Sequence, residues 1–321
     1  MERENLKPAD LDAASRCRDD TALTIEVRLP EPMDLVASLE CGQVFRWRRC
    51  AFPGRPDLKV AYKGVAGGTG LIIAQPDART GAAISDSLWV QYDPSVTSAE
   101  EVRGIILRYF SYDDHVSSIE AKLKSTGHVM VDAVSFCRGL RIITQDRWEA
   151  LASYILSTNN SIPNISRIIR NLSERFGEPC GLGERSFPTP ERIAGESLSR
   201  LRECKCGFRD QNLSDAAIKV SSGDVDLEAI GSMTPEEARR ELMRIRGVGP
   251  KVADCVLLFG YHMLEVFPVD VWVARAVSRY YLGGRQVSPK EAREEGLRRF
   301  GRLAGYAQEY LFYYLRSQGL S

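Results

Sequence analysis

Lys251 and Asp270, nineteen positions apart (270 minus 251), carry the most chemistry in this 321-residue chain. Lys251 directly follows the turn Arg246-Gly247-Val248-Gly249-Pro250. Pro250 suits the first turn of a helix, where its missing N–H is not needed. A cation in that turn opposes the helix dipole, so the placement favours a free amine that can attack carbon. Asp270, in Pro268-Val269-Asp270-Val271, stands ahead of an apolar helix. There it can cap the helix or face a developing positive charge. Gly247 and Gly249 let the backbone come close to a partner, and the N–H groups opening the next helix can hold an anion, phosphate included. Taken singly, these residues read as a solvated helix-start lysine, a plain N-cap and a tight turn. Together they set an amine and a carboxylate beside an anion grip.

The elements that must position these residues are helices. Thr234 is placed to cap one, with Glu237 three residues on completing a capping box. Leu242 and Ile245 give that helix its apolar side. Apolar spacing and Gly, Pro, Asn or Ser breaks predict helices over 146–158, 161–176, 189–205, 208–222, 233–245, 250–261, 269–282, 288–301 and 304–317. Ahead of them the pattern alternates. LTIEVRLP from Leu23, QVFRWRRC, LKVAYKG, LIIAQ and SLWVQYD read as strands of an antiparallel sheet, followed by helices from Ser98 and His115. The fold class is therefore α+β: a polar tail over 1–20, an α+β domain over 21–136 and an all-helical domain over 137–321.

Composition excludes several classes. Apolar residues make up 44% and charged residues 27% with zero net charge, so any nucleic-acid contact must come from local patches and helix ends. No apolar run reaches the ~20 residues of a membrane span, and the charged start lacks a signal-peptide core, which predicts an intracellular protein, cytoplasmic (nucleoid) or nuclear. The eight cysteines are scattered and read as reduced thiols; Cys204 and Cys206 form a C-x-C pair with no companion pair. Three histidines, His115, His128 and His262, give no basis for a zinc site or a histidine triad.

The run from Met233 to Val277, with its Gly-Val-Gly-Pro-Lys turn and later aspartate, resembles the helix-hairpin-helix DNA glycosylases, and in its details the 8-oxoguanine DNA glycosylases. The resemblance implies a twisted sheet attached to a helical glycosylase core, and base removal followed by strand nicking. Breaking the N-glycosidic bond leaves positive charge on the sugar for Asp270 to stabilise; Lys251 takes C1′ as a Schiff base, which permits β-elimination. Alkylation-base glycosylases lack a lysine there. They are the rival reading on the same scaffold, a non-catalytic helix-hairpin-helix DNA-binding protein is a second and a helical scaffold protein a third.

Other segments carry the resemblance. Cys41-Gly42-Gln43-Val44-Phe45-Arg46-Trp47 resembles the family's GQ-x-FRW strand, implying that the Gly42 carbonyl accepts from the N7–H that only oxidised guanine has. Gln308 and Phe312, one helical turn apart, are implied as a pocket wall that reads and stacks on the base, with Cys255 and Phe259 opposite. Asn159 is implied to fill the gap left by the extruded nucleotide, Phe208 to wedge into the stack, and Arg209 to read the orphaned cytosine. Bland readings stand beside each: a bulge glycine, core aromatics, a capping asparagine. The pattern departs at Asn164, where cytosine-reading members place a second arginine, and at Trp272, where histidine is expected. No cofactor and no catalytic metal is implied, and absence of cysteine after Cys255 excludes the iron-sulfur loop of some relatives. The resemblance implies double-stranded DNA containing oxidised guanine as the partner, bound by a monomer, with no membrane involved.

Overall fold

A computed structural model describes residues 21–76 and 84–319; the tail expected over 1–20 lies outside the described residues. Alternation along LTIEVRLPEPM turns Val27, Leu29 and Met33 inward in β1 (Leu23–Met33), one edge of a five-stranded sheet. Asp34 then caps α1 (Leu35–Glu40), accepting from the Ala37 N–H. The sheet continues with β2 (Arg48–Arg49), β3 (Val60–Ala66), β4 (Thr69–Gln75) and β5 (Ser85–Tyr92). Its order is β1-β5-β4-β3-β2, and every pairing is antiparallel. α2 (Ala99–Tyr109) starts in a complete Ser98/Glu101 capping box and covers the sheet with Val102 and Ile106.

Helices follow: α3 (Val116–Lys124), α4 (His128–Phe136), α5 (Arg147–Ser157), α6 (Ile162–Phe176), α7 (Pro190–Ala194), α8 (Leu198–Glu203), α9 (Asp210–Ser221) and α10 (Leu227–Ile230). Then come α11 (Pro235–Leu242), α12 (Pro250–Tyr261), α13 (Val271–Tyr281), α14 (Pro289–Phe300) and α15 (Ala304–Ser317). Leu123, Met130, Leu151, Ile168, Val256, Val277 and Tyr310 share one continuous core, so α3 and α4 pack with the later helices. Cys41 and Phe45 also reach into that core. The α+β reading holds.

Two expected elements differ. The strand expected over QVFRWRRC shrinks to Arg48–Arg49. Gly42 sits at φ +113°, outside strand geometry, and the buried Gln43 side chain donates to the carbonyls of Ser38 and Arg141 while accepting from the Ile143 N–H, all at 2.8 Å. Those bonds fix the segment as an irregular loop tied to the start of the helical core. The helix expected over 189–205 breaks into α7 and α8, because Gly195 ends the first and the Ser197 side chain caps the second.

Candidate active site

The hairpin is built as its residue types dictate. Thr234 and Glu237 complete both halves of the capping box of α11. Gly247 adopts φ +79°, and a Cβ there would lie 2.2 Å from Asn212 Nδ2, so both conformation and space demand glycine. Gly249 is the N-cap of α12, and no atom lies within 4 Å of where its Cβ would stand. The front of α12 is therefore open to an anion meeting its first N–H groups.

Lys251 is half-buried in that first turn, its Nζ 5.5 Å from the centroid of the Tyr154 ring. Asp270 caps α13, its Oδ1 accepting from the Val273 N–H at 2.8 Å. One carboxylate oxygen is thus fixed and the other is left for a further partner. The charges of Lys251 and Asp270 both bear on the same two buried groups, Cys255 and Glu309. Burial pushes the Cys255 thiol up to about 11, against the pull of Lys251, so it is a neutral wall.

Gly42, from the sheet side of the molecule, meets α15. A Cβ on Gly42 would stand 3.3 Å from Phe312 Cε1 and 2.7 Å from Arg316 Nη1. Arg316 in turn donates to the Glu40 carbonyl at 2.6 Å, holding the last helix to the Gly42 loop. Gln308 is buried, and its Oε1 has no hydrogen-bond partner. Such an orphan acceptor costs about 1–3 kcal/mol unless a ligand donates to it. Of the expected walls, Phe312 lies against Gly42 and Cys255 lies one turn after Lys251 on α12, whereas Phe259 stacks on Tyr154 at 5.4 Å and 14°.

Two members of this cluster escape the sequence reading. Tyr154 looks like one more residue of the apolar stripe of α5, yet its hydroxyl donates to the Gln43 carbonyl at 3.0 Å while its ring lies under Lys251. It joins the two halves of the site. Glu309 is 2% exposed, and burial lifts its carboxyl to about 7, with a Cys41 hydrogen bond and the Arg316 charge opposing. A lone acid in the run AGYAQEYLFYYLRS is the signal that could have found it.

The orphan-base candidates also assemble. Asn159 takes φ +49°, and buried Arg209 donates through Nε to the Thr158 carbonyl and through Nη2 to the Asn159 carbonyl, both at 2.7 Å. The Arg209 guanidinium lies 4.4 Å from the Phe208 ring centroid, and Phe208 is 63% exposed. An exposed aromatic beside a clamped asparagine fits a wedge and a gap filler. Arg209 spends two of its five N–H groups on the protein, leaving both N–H groups of Nη1 and one of Nη2. Asn164 donates to Asn160 and accepts from Arg167. Trp272 has the Arg275 guanidinium 5.7 Å above its ring. Among the described residues no group of three or more His, Cys, Asp or Glu could hold a metal, and no helix is long and apolar enough to cross a membrane.

Comparisons with known proteins agree in both halves. Residues 26–151 match the family of the 8-oxoguanine DNA glycosylase N-terminal domain, and residues 152–302 the HhH-GPD superfamily of base excision DNA repair proteins. A probable N-glycosylase/DNA lyase of Methanothermobacter thermautotrophicus is 31% identical over 250 residues, 71% of this chain and 78% of the relative. The Clostridium acetobutylicum 8-oxoguanine glycosylase/lyase, solved with dsDNA containing cytosine opposite to 8-oxoG, superimposes with a TM-score of 0.79 at 32% identity over 92% of this chain and 98% of its own. The 3-methyladenine DNA glycosylase of Archaeoglobus fulgidus shares the fold, with a TM-score of 0.68 at 22% identity over 91% of this chain and 98% of that one.

Proposed function

The chain belongs to the 8-oxoguanine DNA glycosylase/lyases of base-excision repair, within the HhH-GPD superfamily, and on that premise we propose that Lys251 and Asp270 divide the chemistry between them. Duplex DNA lies against the open Gly249 turn, where α12 amides receive a phosphate. Phe208 enters the stack, Asn159 occupies the gap, and the damaged nucleotide turns into the pocket between Gly42, Cys255, Gln308 and Phe312.

Recognition follows from donors and acceptors. Guanine presents N7 as an acceptor, whereas its oxidised form carries N7–H, so the Gly42 carbonyl gains a bond with one and repels the other. One hydrogen bond gained against one buried group left unpaired is on the order of 2–4 kcal/mol. The orphan Gln308 Oε1 takes a donor from the Watson-Crick edge. As the C1′–N9 bond breaks, its electron pair leaves with the base and the sugar becomes cationic beside the free oxygen of Asp270. The Lys251 amine bonds to C1′; the C1′–O4′ bond then opens, O4′ taking a proton released by Nζ, to give a Schiff base whose acidified C2′ proton passes to solvent as the 3′ phosphate departs by β-elimination.

The observation that carries this reading is Lys251 in the first turn of α12, over the Tyr154 ring and one turn before Cys255, with Asp270 capping α13 and its charge bearing on the same Cys255. A glycosylase for alkylated bases shares the scaffold, but single-activity enzymes need no amine at this position. The test is incubation with duplexes carrying 8-oxoguanine, an alkylated base or neither. Release of 8-oxoguanine with strand nicking is expected, and release of the alkylated base without nicking would overturn the reading.

A further inference from the structure

The mechanism above makes no use of one acid in the site. Glu309, on α15, is almost wholly buried, its Oε1 lacks any hydrogen-bond partner, its carboxyl meets the Cys41 thiol, and the Lys251 charge bears on it. The groups that face it come from every neighbouring element: Cys41 after α1, Tyr154 on α5, Lys251 and Cys255 on α12, Asp270 at the start of α13, and Arg316 on α15 itself. Leaving a carboxyl oxygen unpaired in the interior is expensive, which points to a working role.

We propose that Glu309 is the internal proton acceptor for Lys251, taking the Nζ proton when the extruded base closes the pocket and so generating the free amine without exchange with bulk water. This rests on the glycosylase/lyase reading and deepens it. The balance is simple: the ammonium loses one proton to Oε1, the carboxylate becomes a neutral acid, and the nitrogen lone pair becomes available for C1′. Lys251 stands over Tyr154 and not in direct ion-pair contact with Glu309, so a swing of its flexible stem or one water carries the proton. Expelling water favours the transfer, because it turns two opposite charges into two neutral groups and leaves Asp270 to meet the sugar cation. Burial has already raised the proton affinity of Glu309 to about 7, part of the way to that of an amine. A glutamate on an exposed face could not do this.

The test is the pH dependence of single-turnover base release from an 8-oxoguanine duplex, comparing the full chain with Glu309→Gln, which keeps the shape. In the wild-type protein the proton is shared within the pair, so the rate should level off above about pH 7. In the variant the amine must lose its proton to bulk water. Its rate at pH 7 should fall roughly 100-fold, of the size typical of a lost acid-base group, and then climb about tenfold per pH unit towards wild type. A variant profile equal to wild type, or lowered by the same factor at every pH, would overturn the proposal and leave Lys251 as the nucleophile. A variant that fails to fold is checked by Glu309→Asp, expected to recover the plateau at a lower rate; an aspartate variant with the rising profile counts against the relay. Failure of the wild-type protein to release 8-oxoguanine at all would strike the underlying reading instead.

Discussion

At the residue scale the account depends on what each side chain has left over once its protein partners are counted. Arg209 has given one N–H each of Nε and Nη2 to the carbonyls of Thr158 and Asn159, and Asn164, where the resemblance leads one to expect a second arginine, bonds Asn160 instead. With two of the five Arg209 N–H groups spent on the protein and asparagine in place of arginine at position 164, discrimination for cytosine opposite the lesion should be weak. Base release measured with four opposite bases is expected to vary by less than about tenfold, whereas each good base-reading pair is worth about 1–3 kcal/mol, up to roughly 100-fold. Asn164→Arg should steepen the preference. Steep cytosine dependence in the unaltered protein would contradict this. Lys251 and Asp270 are legible from the sequence because turn chemistry and spacing mark them. Tyr154 and Glu309 are not, because their roles come from contacts across more than a hundred residues, such as Tyr154 to Gln43.

At the scale of elements, boundaries follow the local signals closely where caps are explicit. α11 begins at the Thr234/Glu237 box, α12 starts at Pro250, and α12 and α15 cover the expected 250–261 and 304–317. The expected strand after Gly42 fails because side-chain hydrogen bonds from Gln43 overrule the alternation of Val44 to Trp47. The hairpin yields a paired prediction. Gly247→Ala should destabilise the fold by about 1–3 kcal/mol, since it forces an L-residue into positive φ and into Asn212. Gly249→Ala should leave thermal stability nearly unchanged, because the space is empty, and should weaken DNA binding by blocking backbone approach. Thermal melts and binding titrations check both. Equal DNA affinity for Gly249→Ala and the unaltered protein would remove the hairpin from the interface.

At the scale of the whole molecule, the site exists only because the sheet-bearing part and the helical part close on each other. Gly42 meets Phe312, Gln43 meets Tyr154, and Arg316 grips the Glu40 carbonyl, so the carbonyl proposed to read the lesion comes from the first part and the proposed nucleophile from the second. Forty-three basic residues balance forty-three acidic ones, and no excess positive field draws DNA in. Binding should therefore rest on a few phosphate contacts at helix ends. The slope of log affinity against log salt is expected to be shallow, about −2 to −4. A slope steeper than about −8 would mean an extended basic track that this charge balance does not foresee.

The central claim, that Lys251 Nζ forms the bond to the sugar, is tested most directly by borohydride trapping on an 8-oxoguanine duplex with the unaltered protein and Lys251→Ala side by side. The account predicts a covalent protein-DNA adduct mapping to Lys251 in the first, and no adduct but retained duplex binding in the second. An adduct of equal yield in Lys251→Ala, or one mapping to another residue in the unaltered protein, would contradict it.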